Sequence, residues 1–432
     1  MEKSLSSDLD FLYNLKRKGI KLDLEVIRDF AKYLDNPQDS FQSFHISGSN
    51  GKGSTSAFIY NALQETTETA LYTSPHLIDF NERIVSGRTL IPDAYIEKFI
   101  ASNRDLIEEL RVTLRNPTFF ETTTLLAFSY FRSMKNSVAS IEAGLGGRLD
   151  STNIITPEVS VITTIGYEHT DKLGCSLEAI SWEEGGIIKR GRPVVLGDTK
   201  GAVIKEIRKI SDVRNSKLLL RIKECSVEKI EESEEGTSFD LTTGKDTYYI
   251  HTNLLCGFQI ENISNAVLAL EQSDDLNPGR AKIEKGVSNT RWPGRMEIIS
   301  KSPFIMVDSA HNPPAANTLT YSYKRIFKEK PVLVVGMMSD KDIFSFIHAI
   351  RPISDEIIFT TPDEPDRAAK PEMLSDIFGN IFREKHVIPN PYEALEYTKK
   401  HYEHILVTGS MYLVGIIKNL RGQAHSPLNN RF

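Results

Sequence analysis

The feature that most constrains this fold is a glycine-rich turn between an apolar run and a helix-forming stretch. The turn reads Gly48-Ser49-Asn50-Gly51-Lys52-Gly53-Ser54-Thr55, after a strand-prone run at 41–46 and before a helix expected over 54–64. Glycines let the backbone turn its N–H groups toward phosphate oxygens, and a helix N-terminus adds partial positive charge there. The turn therefore predicts a nucleotide-binding P-loop within an α/β sheet.

The spacing of this turn departs from the usual G-x-x-x-x-G-K-[ST], because another glycine follows the lysine. In a P-loop, Lys52 would reach the β- and γ-phosphates and the Ser54 hydroxyl would reach Mg²⁺. The alternative is a glycine-rich turn that carries a surface lysine. The flanking strand and helix favour the nucleotide site.

Composition limits the classes of function. The chain has 432 residues, so two or three domains are expected. A net charge of −6 argues against nucleic-acid binding, and no apolar run approaches the roughly 20 residues that span a bilayer. Three scattered cysteines indicate neither a disulfide framework nor a metal site. We expect a cytoplasmic monomer that acts on small molecules.

Polar residues follow two apolar strands of the first half. Glu142 ends the run at 137–141, and His169 follows the run at 159–165. Ligands of open α/β sheets bind at the carboxyl ends of the strands, and an acid there beside a P-loop is suited to hold Mg²⁺. A single histidine is more often structural, but this position favours a contact with metal or phosphate.

The second half of the sequence predicts two further units. Short strands at 217–221, 238–241 and 247–251 suggest a small antiparallel flap. From residue 303 onward strands alternate with helices, and Asp308 and His311 follow the first strand. The prediction is an α/β fold with a P-loop mononucleotide-binding domain at 1–295, which has a mostly parallel sheet and the flap. A smaller Rossmann-like α/β domain follows at 296–432.

Several motifs in order along nearly the whole chain carry a resemblance to a known family. Beside the P-loop, they are Thr73-Ser-Pro-His-Leu77, Asn81-Glu-Arg-Ile84, Phe119-Phe-Glu-Thr-Thr-Thr124, Glu142-Ala-Gly-Leu-Gly-Gly-Arg-Leu-Asp-Ser-Thr-Asn153, His169-Thr-Asp-Lys-Leu-Gly174, Trp292-Pro-Gly-Arg295, Asp308-Ser-Ala-His-Asn-Pro313 and Asp340-Lys-Asp342. Together they resemble the folylpolyglutamate synthase/dihydrofolate synthase family of the Mur ligase superfamily.

The resemblance implies an amide ligase that depends on ATP and Mg²⁺, with one or two ions. In this family ATP phosphorylates a folate-type carboxylate, and the amine of L-glutamate attacks the resulting acyl phosphate. Dihydropteroate, tetrahydrofolate polyglutamates or both would be acceptors. The catalytic work is the placement of cations around the phosphoryl oxygens and the exclusion of water.

The resemblance also assigns roles to individual residues. The nucleotide set is Asn50, Gly51, Lys52, Gly53, Ser54, Thr55, Gln259, Asn262, Arg295 and Asp308. The metal set is Ser54, Ser74, Glu142 and His169, and the substrate set is Phe120, Glu121, Asp150 and Asn153. The catalytic set is Lys52, Glu142, His169, Glu184 and His311. Phe120 is equally compatible with a place in the core, and Asp308 and His311 with a capped strand-to-helix turn.

One position departs from the family pattern. The family often carries a lysine there, which is carbamylated and helps to position the metal, whereas this chain has Glu184. Glutamate is anionic without CO₂, so one hypothesis is that Glu184 takes over the role of the carbamate. The alternative is that Glu184 only pairs with Lys189 or Arg190.

Three rival functions differ from this interpretation. A cell-wall Mur ligase carries an additional N-terminal domain, for which we expect no room before Gly48. A non-catalytic P-loop nucleotide-binding protein would leave the second α/β domain unexplained, and the guanine-reading Asn-Lys-x-Asp motif is absent. A family member could also use a pterin other than folate, because loops rather than the fold choose the substrate.

Overall fold

The computed structural model describes residues 7–16, 23–113, 117–255, 257–362 and 367–422. Its helices are α1 (Ser7–Lys16), α2 (Glu25–Tyr33), α3 (Lys52–Gln64), α4 (Asp93–Thr113), α5 (Phe119–Ser133), α6 (Thr170–Leu173), α7 (Leu177–Glu184), α8 (Gly201–Arg214), α9 (Arg221–Glu224), α10 (Gly257–Glu271), α11 (Arg280–Asn289), α12 (Pro313–Ile326), α13 (Ile343–Ile350), α14 (Pro371–Phe378), α15 (Pro391–His401) and α16 (Met411–Gly422). None of the described helices has the length and apolar character required to cross a membrane.

The strands form three sheets. They are β1 (Gln42–Ser47), β2 (Thr69–Tyr72), β3 (Ile84–Ser86), β4 (Thr89–Leu90), β5 (Val138–Glu142), β6 (Val159–Ile162), β7 (Val194–Leu196), β8 (Leu218–Leu220), β9 (Ser226–Ser233), β10 (Gly236–Thr242), β11 (Thr247–Thr252), β12 (Glu297–Lys301), β13 (Phe304–Val307), β14 (Val332–Val335), β15 (Glu356–Phe359), β16 (Glu384–Val387) and β17 (His404–Thr408).

The first sheet has eight strands in the order β4-β3-β2-β5-β1-β6-β7-β8. The six strands from β2 to β8 are parallel, and β3 and β4 add an antiparallel edge. Strand β1 lies between β5 and β6, and Ile46 is paired with Glu142. Because neighbouring parallel strands end at one edge, this register brings the P-loop and Glu142 together.

The second α/β domain has a six-stranded sheet in the order β12-β13-β17-β14-β15-β16. Only β12 runs antiparallel to its neighbour, and the other pairings are parallel. The predicted α/β class, with a P-loop sheet, an antiparallel flap and a second α/β unit, is confirmed. The predicted helices and strands of the second unit are present, but the sequence analysis missed β12 and β16.

One strand prediction was wrong. The sequence pattern places the stretch at 217–221 in the flap, whereas β8 extends the first sheet parallel to β7. The third flap strand is β9, which pairs with β10. Most residues of β9 are exposed, so it lacks the apolar alternation that signals a strand. Strands β3 and β4 were also not predicted from the sequence.

Apolar packing fixes the helix that carries the P-loop. Phe58, Ile59 and Leu63 of α3 are buried against β1 on one side. Helices α10 and α11 cover the same helix and contribute Ile263 and Val287 to this cluster. Burial of apolar surface stabilises the folded state by about 25 cal/mol per Å². Packing on both sides therefore holds α3 rigidly where its N-terminus meets the cleft.

Candidate active site

At two glycines, the P-loop backbone lies too close to other residues of this protein for a side chain to fit. Gly51 has φ of +89°, and a Cβ there would lie 2.3 Å from Asn262 Oδ1. A Cβ on Gly53 would lie 2.8 Å from the Trp292 ring and 3.3 Å from Glu142 Oε2. Helix α3 begins at Lys52, two residues earlier than expected. The loop thus places a helix N-terminus beside Glu142 and α10.

Lys52 folds back onto this loop. Its Nζ donates to the carbonyl oxygens of Gly48 at 2.6 Å and Ser49 at 3.4 Å. The lysine charge also acts on four acidic or imidazole groups of the cleft: Glu142, Glu168, His169 and Glu184. Lys52 is therefore the common electrostatic neighbour of groups that come from three separate segments.

Helix α10 supplies polar side chains to the same loop. Asn262 Oδ1 accepts from Thr55 Oγ1 at 3.5 Å, and Asn262 Nδ2 donates to Gln259 Oε1 at 3.1 Å. Gln259 is fully buried, yet its Nε2 has no hydrogen-bond partner among the residues that the structure describes. A buried donor without a partner costs free energy, which a ligand oxygen would recover. The residues present therefore fit a bound nucleotide.

Glu142 lies beside Gly53 of the P-loop. Its Oε2 accepts from the backbone N–H of Ser74 at 3.0 Å. Burial raises the pKa of Glu142 to about 7, although Lys52, the Ser74 amide, Arg295 and Arg83 oppose that rise. These opposing groups favour the ionised form of Glu142, which is the form that can bind a divalent ion.

The residues predicted to hold Mg²⁺ come from separate strand ends. Glu142 ends β5, Ser74 follows β2 and Ser54 is buried in the first turn of α3. His169 is exposed at the start of α6. The described residues contain no group of three or more His, Cys, Asp and Glu side chains that could hold a metal. The predicted set has only two such residues and relies on hydroxyls, so its role stays a prediction.

Glu184 lies at the base of the P-loop. Its Oε2 accepts from the Gly48 N–H at 2.9 Å, and its backbone oxygen accepts from Ser47 Oγ at 3.0 Å. Burial raises the pKa of this carboxyl, and Lys52 opposes the rise. Lys189 instead donates to the Asn153 carbonyl at 3.0 Å. No ion pair joins Glu184 to Lys189 or Arg190 in the described chain, so the simple pairing interpretation was wrong.

Contacts between the two domains converge on Glu168, which the sequence analysis did not select. His311 Nε2 lies 3.2 Å from Glu168 Oε1, and Lys341 Nζ donates to the same oxygen at 3.4 Å. Burial raises the pKa of Glu168, but His311 and Lys341 outweigh it and hold the pKa well below its usual range. Asn312 Nδ2 also donates to Asn50 Oδ1 at 3.2 Å. The P-loop and the loop after β6 thus both touch the second domain.

Asp308 and Arg295 lie at the junction of the two domains. Asp308 is buried, and its oxygens accept from the N–H groups of Met296 at 2.9 Å and Ala310 at 2.8 Å. Burial raises the pKa of Asp308, and Arg295 is the main opposing charge. Arg295 forms no ion pair within the part of the chain that is described. Its charge is therefore available to an anionic ligand near Glu142.

The predicted substrate residues are placed in different ways. The Phe120 ring lies so close to Gly144 that a Cβ there would be 2.4 Å from Phe120 Cζ. Glu121 belongs to a capping box, because its Oε2 accepts from the Thr118 N–H at 2.7 Å. Its place at the start of α5 is thus structurally required, whatever it does toward a substrate.

Asp150 and Asn153 are buried in the loop after β5. Asp150 accepts four hydrogen bonds, from the N–H groups of Gly144, Leu145 and Thr152 and from the Thr152 hydroxyl. Asn153 Nδ2 donates to two backbone carbonyls, but its Oδ1 has no hydrogen-bond partner in the described part of the chain. Asp150 therefore shapes the loop, and Asn153 keeps an acceptor for a ligand. Contact of either residue with substrate stays a prediction.

Two family models match the chain. Residues 46–270 match the Mur ligase middle domain, and residues 294–411 match the Mur ligase glutamate ligase domain. The dihydrofolate synthase/folylpolyglutamate synthase of Bacillus subtilis is 32% identical over 411 residues, which cover 93% of this chain and 95% of that protein. The chain belongs to the folylpolyglutamate synthase/dihydrofolate synthase family of the Mur ligase superfamily.

Solved structures of family members match the whole fold. The folylpolyglutamate synthase of Thermotoga maritima is 30% identical, has a TM-score of 0.86 and covers 98% of this chain and 99% of that one. The Mycobacterium tuberculosis enzyme complexed with ADP is 27% identical, with a TM-score of 0.90 and coverage of 97% and 99%. The chain is accordingly an ATP-dependent ligase.

Proposed function

We propose that this ligase joins L-glutamate to the carboxylate of a folate-type acceptor, either dihydropteroate or a reduced folate with its glutamate chain. The observation that carries the proposal is the cleft in which the P-loop, Glu142 and the Glu168–His311–Lys341 contact between domains meet. One relative is named a dihydrofolate synthase/folylpolyglutamate synthase and another was solved with ADP, which supports this substrate class and ATP.

The reaction would run through an acyl phosphate. A carboxylate oxygen of the acceptor attacks the γ-phosphorus of ATP, and ADP leaves. The amine of L-glutamate then attacks the acyl carbon, so that the amide forms and phosphate leaves with the proton passed to solvent or a base. Negative charge grows on the phosphoryl oxygens in the first step, so fixed cations accelerate it.

Each part of the cleft has a task in this scheme. Asn50, Lys52 and the N–H groups of the P-loop would hold the phosphates, and Arg295 would add a cation from the junction. Gln259 Nε2 and Asn262 would face the nucleotide from α10. Ser54, Ser74, Glu142 and His169 would hold Mg²⁺, which supplies charge neutralisation between the phosphates. Phe120, Glu121, Asp150 and Asn153 would contact the acceptor.

The second domain would present L-glutamate to this site. Asp308 orders the strand end from which His311 projects toward Glu168. We place the domain boundary at 295/296, since the second sheet begins with β12 at Glu297. Closure across this boundary would exclude water, because an acyl phosphate exposed to water would hydrolyse.

The test is glutamate-dependent ADP release from the purified protein, measured in parallel with dihydropteroate and with tetrahydrofolate. Turnover with dihydropteroate alone would identify a dihydrofolate synthase, and turnover with both a bifunctional enzyme. Turnover with tetrahydrofolate alone would leave chain extension as its task. ATP binding without turnover on either acceptor would refute the folate assignment.

A further inference from the structure

The motif Asn81-Glu-Arg-Ile84 is only partly explained by the structure of its own loop. Asn81 Nδ2 donates to the Ile91 carbonyl at 2.7 Å and to Asp93 Oδ1 at 2.8 Å. Glu82 accepts from the backbone N–H groups of residues 77–79. Both side chains therefore shape the loop, which leaves the role of Arg83 open.

Arg83 is a buried cation without an acidic partner at contact distance. It is 8% exposed, and no carboxylate among the described residues lies within 4.0 Å of its guanidinium nitrogens. Its Nε donates to His76 Nδ1 at 2.8 Å, so only one of its five N–H donors has a partner in the described chain. Burying such a charge is costly, and a guanidinium stays protonated at neutral pH.

Aromatic rings surround this guanidinium. Its Cζ lies 5.5 Å from the centre of the Phe119 ring and 5.9 Å from the centre of the Phe80 ring. Tyr13 stacks on Phe119 with ring centres 5.9 Å apart. Cation–π contacts of this kind recover part of the desolvation cost. They leave the N–H fork of the guanidinium without oxygen acceptors.

Arg83 also lies next to the reacting centre. Its backbone oxygen accepts from Thr73 N–H at 3.0 Å, directly before Ser74, whose own N–H donates to Glu142. The Arg83 charge is one of those that lower the pKa of Glu142. The guanidinium therefore stands between the aromatic cluster on one side and the proposed metal ligand on the other.

We propose that Arg83 binds the carboxylate of the acceptor, the group that is phosphorylated and then converted to the amide. A planar guanidinium fork matches a carboxylate in two parallel hydrogen bonds, and the rings of Phe80 and Phe119 would flank the aryl group that bears it. The phosphates of ATP are the competing anion, but they belong at the N-terminus of α3. This inference rests on the proposed folate-type acceptor and adds the residue that recognises its charge.

The test compares pteroate with the analogue in which a primary carboxamide replaces the carboxylate, by equilibrium binding to the full-length protein. Arg83→Met should weaken pteroate at least tenfold and change carboxamide binding less than about twofold, since a charge-assisted contact is lost. Arg83→Lys, which keeps the charge but loses the fork, should fall between. Arg104→Met is the matched control, because Arg104 also stacks on a ring, 4.7 Å from the centre of Phe11.

Each other outcome would overturn the inference. Equal weakening of pteroate and carboxamide would show that Arg83 only supports the pocket, and a fall in ATP affinity alone would assign it to phosphate. Thermal melting and unchanged ATP binding establish that Arg83→Met is folded. If the wild-type protein bound neither pterin compound and released no ADP with either acceptor, the proposed function itself would fail.

Discussion

The contact between the Glu184 carboxylate and the Gly48 N–H predicts different stabilities for two substitutions at this position. Glu184→Ala removes the acceptor and leaves a buried amide unpaired, which costs about 1–3 kcal/mol. Glu184→Gln keeps an oxygen that can accept from Gly48, at the 2.9 Å distance of the wild-type contact. We therefore expect the alanine variant to be destabilised and the glutamine variant to be as stable as wild type or more stable.

The expected gain in Glu184→Gln follows from the pKa shift. Burial raises the pKa of Glu184, so ionising it costs folding free energy. This cost first appears as the pH rises above the ordinary pKa of a glutamate carboxyl, about 4.3. It reaches its full size above the raised pKa of the folded state. Glutamine does not ionise. The stability of Glu184→Gln relative to wild type should therefore increase from acidic to neutral pH.

Scanning calorimetry at several pH values measures both effects. A loss of about 2 kcal/mol corresponds to a melting temperature lower by roughly 4–8 °C for a domain of this size. Equal losses in the two variants, or a melting temperature of Glu184→Ala equal to that of wild type, would refute the assigned contact.

Activity tests the other half of the Glu184 hypothesis. If the Glu184 anion replaces a carbamylated lysine, then Glu184→Gln needs more Mg²⁺ for half-maximal turnover although it melts normally. Turnover of the wild-type enzyme should not respond to added bicarbonate. CO₂-dependent activity, or full activity in Glu184→Ala, would contradict the substitution.

The remaining predictions concern the cleft. Lys52→Ala should abolish ADP release and leave the melting temperature unchanged within about 2 °C, because among the described residues Lys52 donates its hydrogen bonds to loop carbonyls. Glu142→Ala should abolish Mg²⁺-dependent turnover, whereas near-normal coupled turnover in either variant would disprove the assignment. Glu168→Gln should weaken the domain contact by about 1–3 kcal/mol, visible as a larger radius of gyration in solution scattering. His311 and Lys341 lower the pKa of Glu168. The difference in radius of gyration between Glu168→Gln and wild type should therefore persist at neutral pH and vanish as the pH falls through that lowered pKa.

Local signals were enough to predict that the P-loop and Glu142 lie together. The P-loop is continuous in sequence, and Glu142 ends a strand that pairs directly with the strand before it. The carboxyl ends of adjacent parallel strands must meet, so two local patterns predicted one shared location. The same reasoning succeeded for the strand before Asp308 in the second domain.

Contacts between distant segments could not be predicted in this way. Glu168 and Lys341 are 173 residues apart and belong to different domains, so no spacing rule connects them. Arg83 is charged, and its burial between two rings is a property of the folded pocket alone. The capping role of Glu121, in contrast, was predictable from the sequence, because Thr118 and Glu121 have the spacing of a capping box.

The P-loop is tied to its surroundings by groups that come from both domains. The Glu184 carboxylate accepts a hydrogen bond from the Gly48 N–H, and Asn262 lies against Gly51. Asn312 of the second domain donates a hydrogen bond to Asn50. If nucleotide phosphates replace the Gly48 carbonyl as the partner of Lys52, they bring negative charge close to these P-loop contacts. Since the charge of Lys52 also lowers the pKa of Glu168, nucleotide binding and the proposed domain closure would share one electrostatic centre. Coupling between them then requires no long pathway, because the two events act on neighbouring atoms.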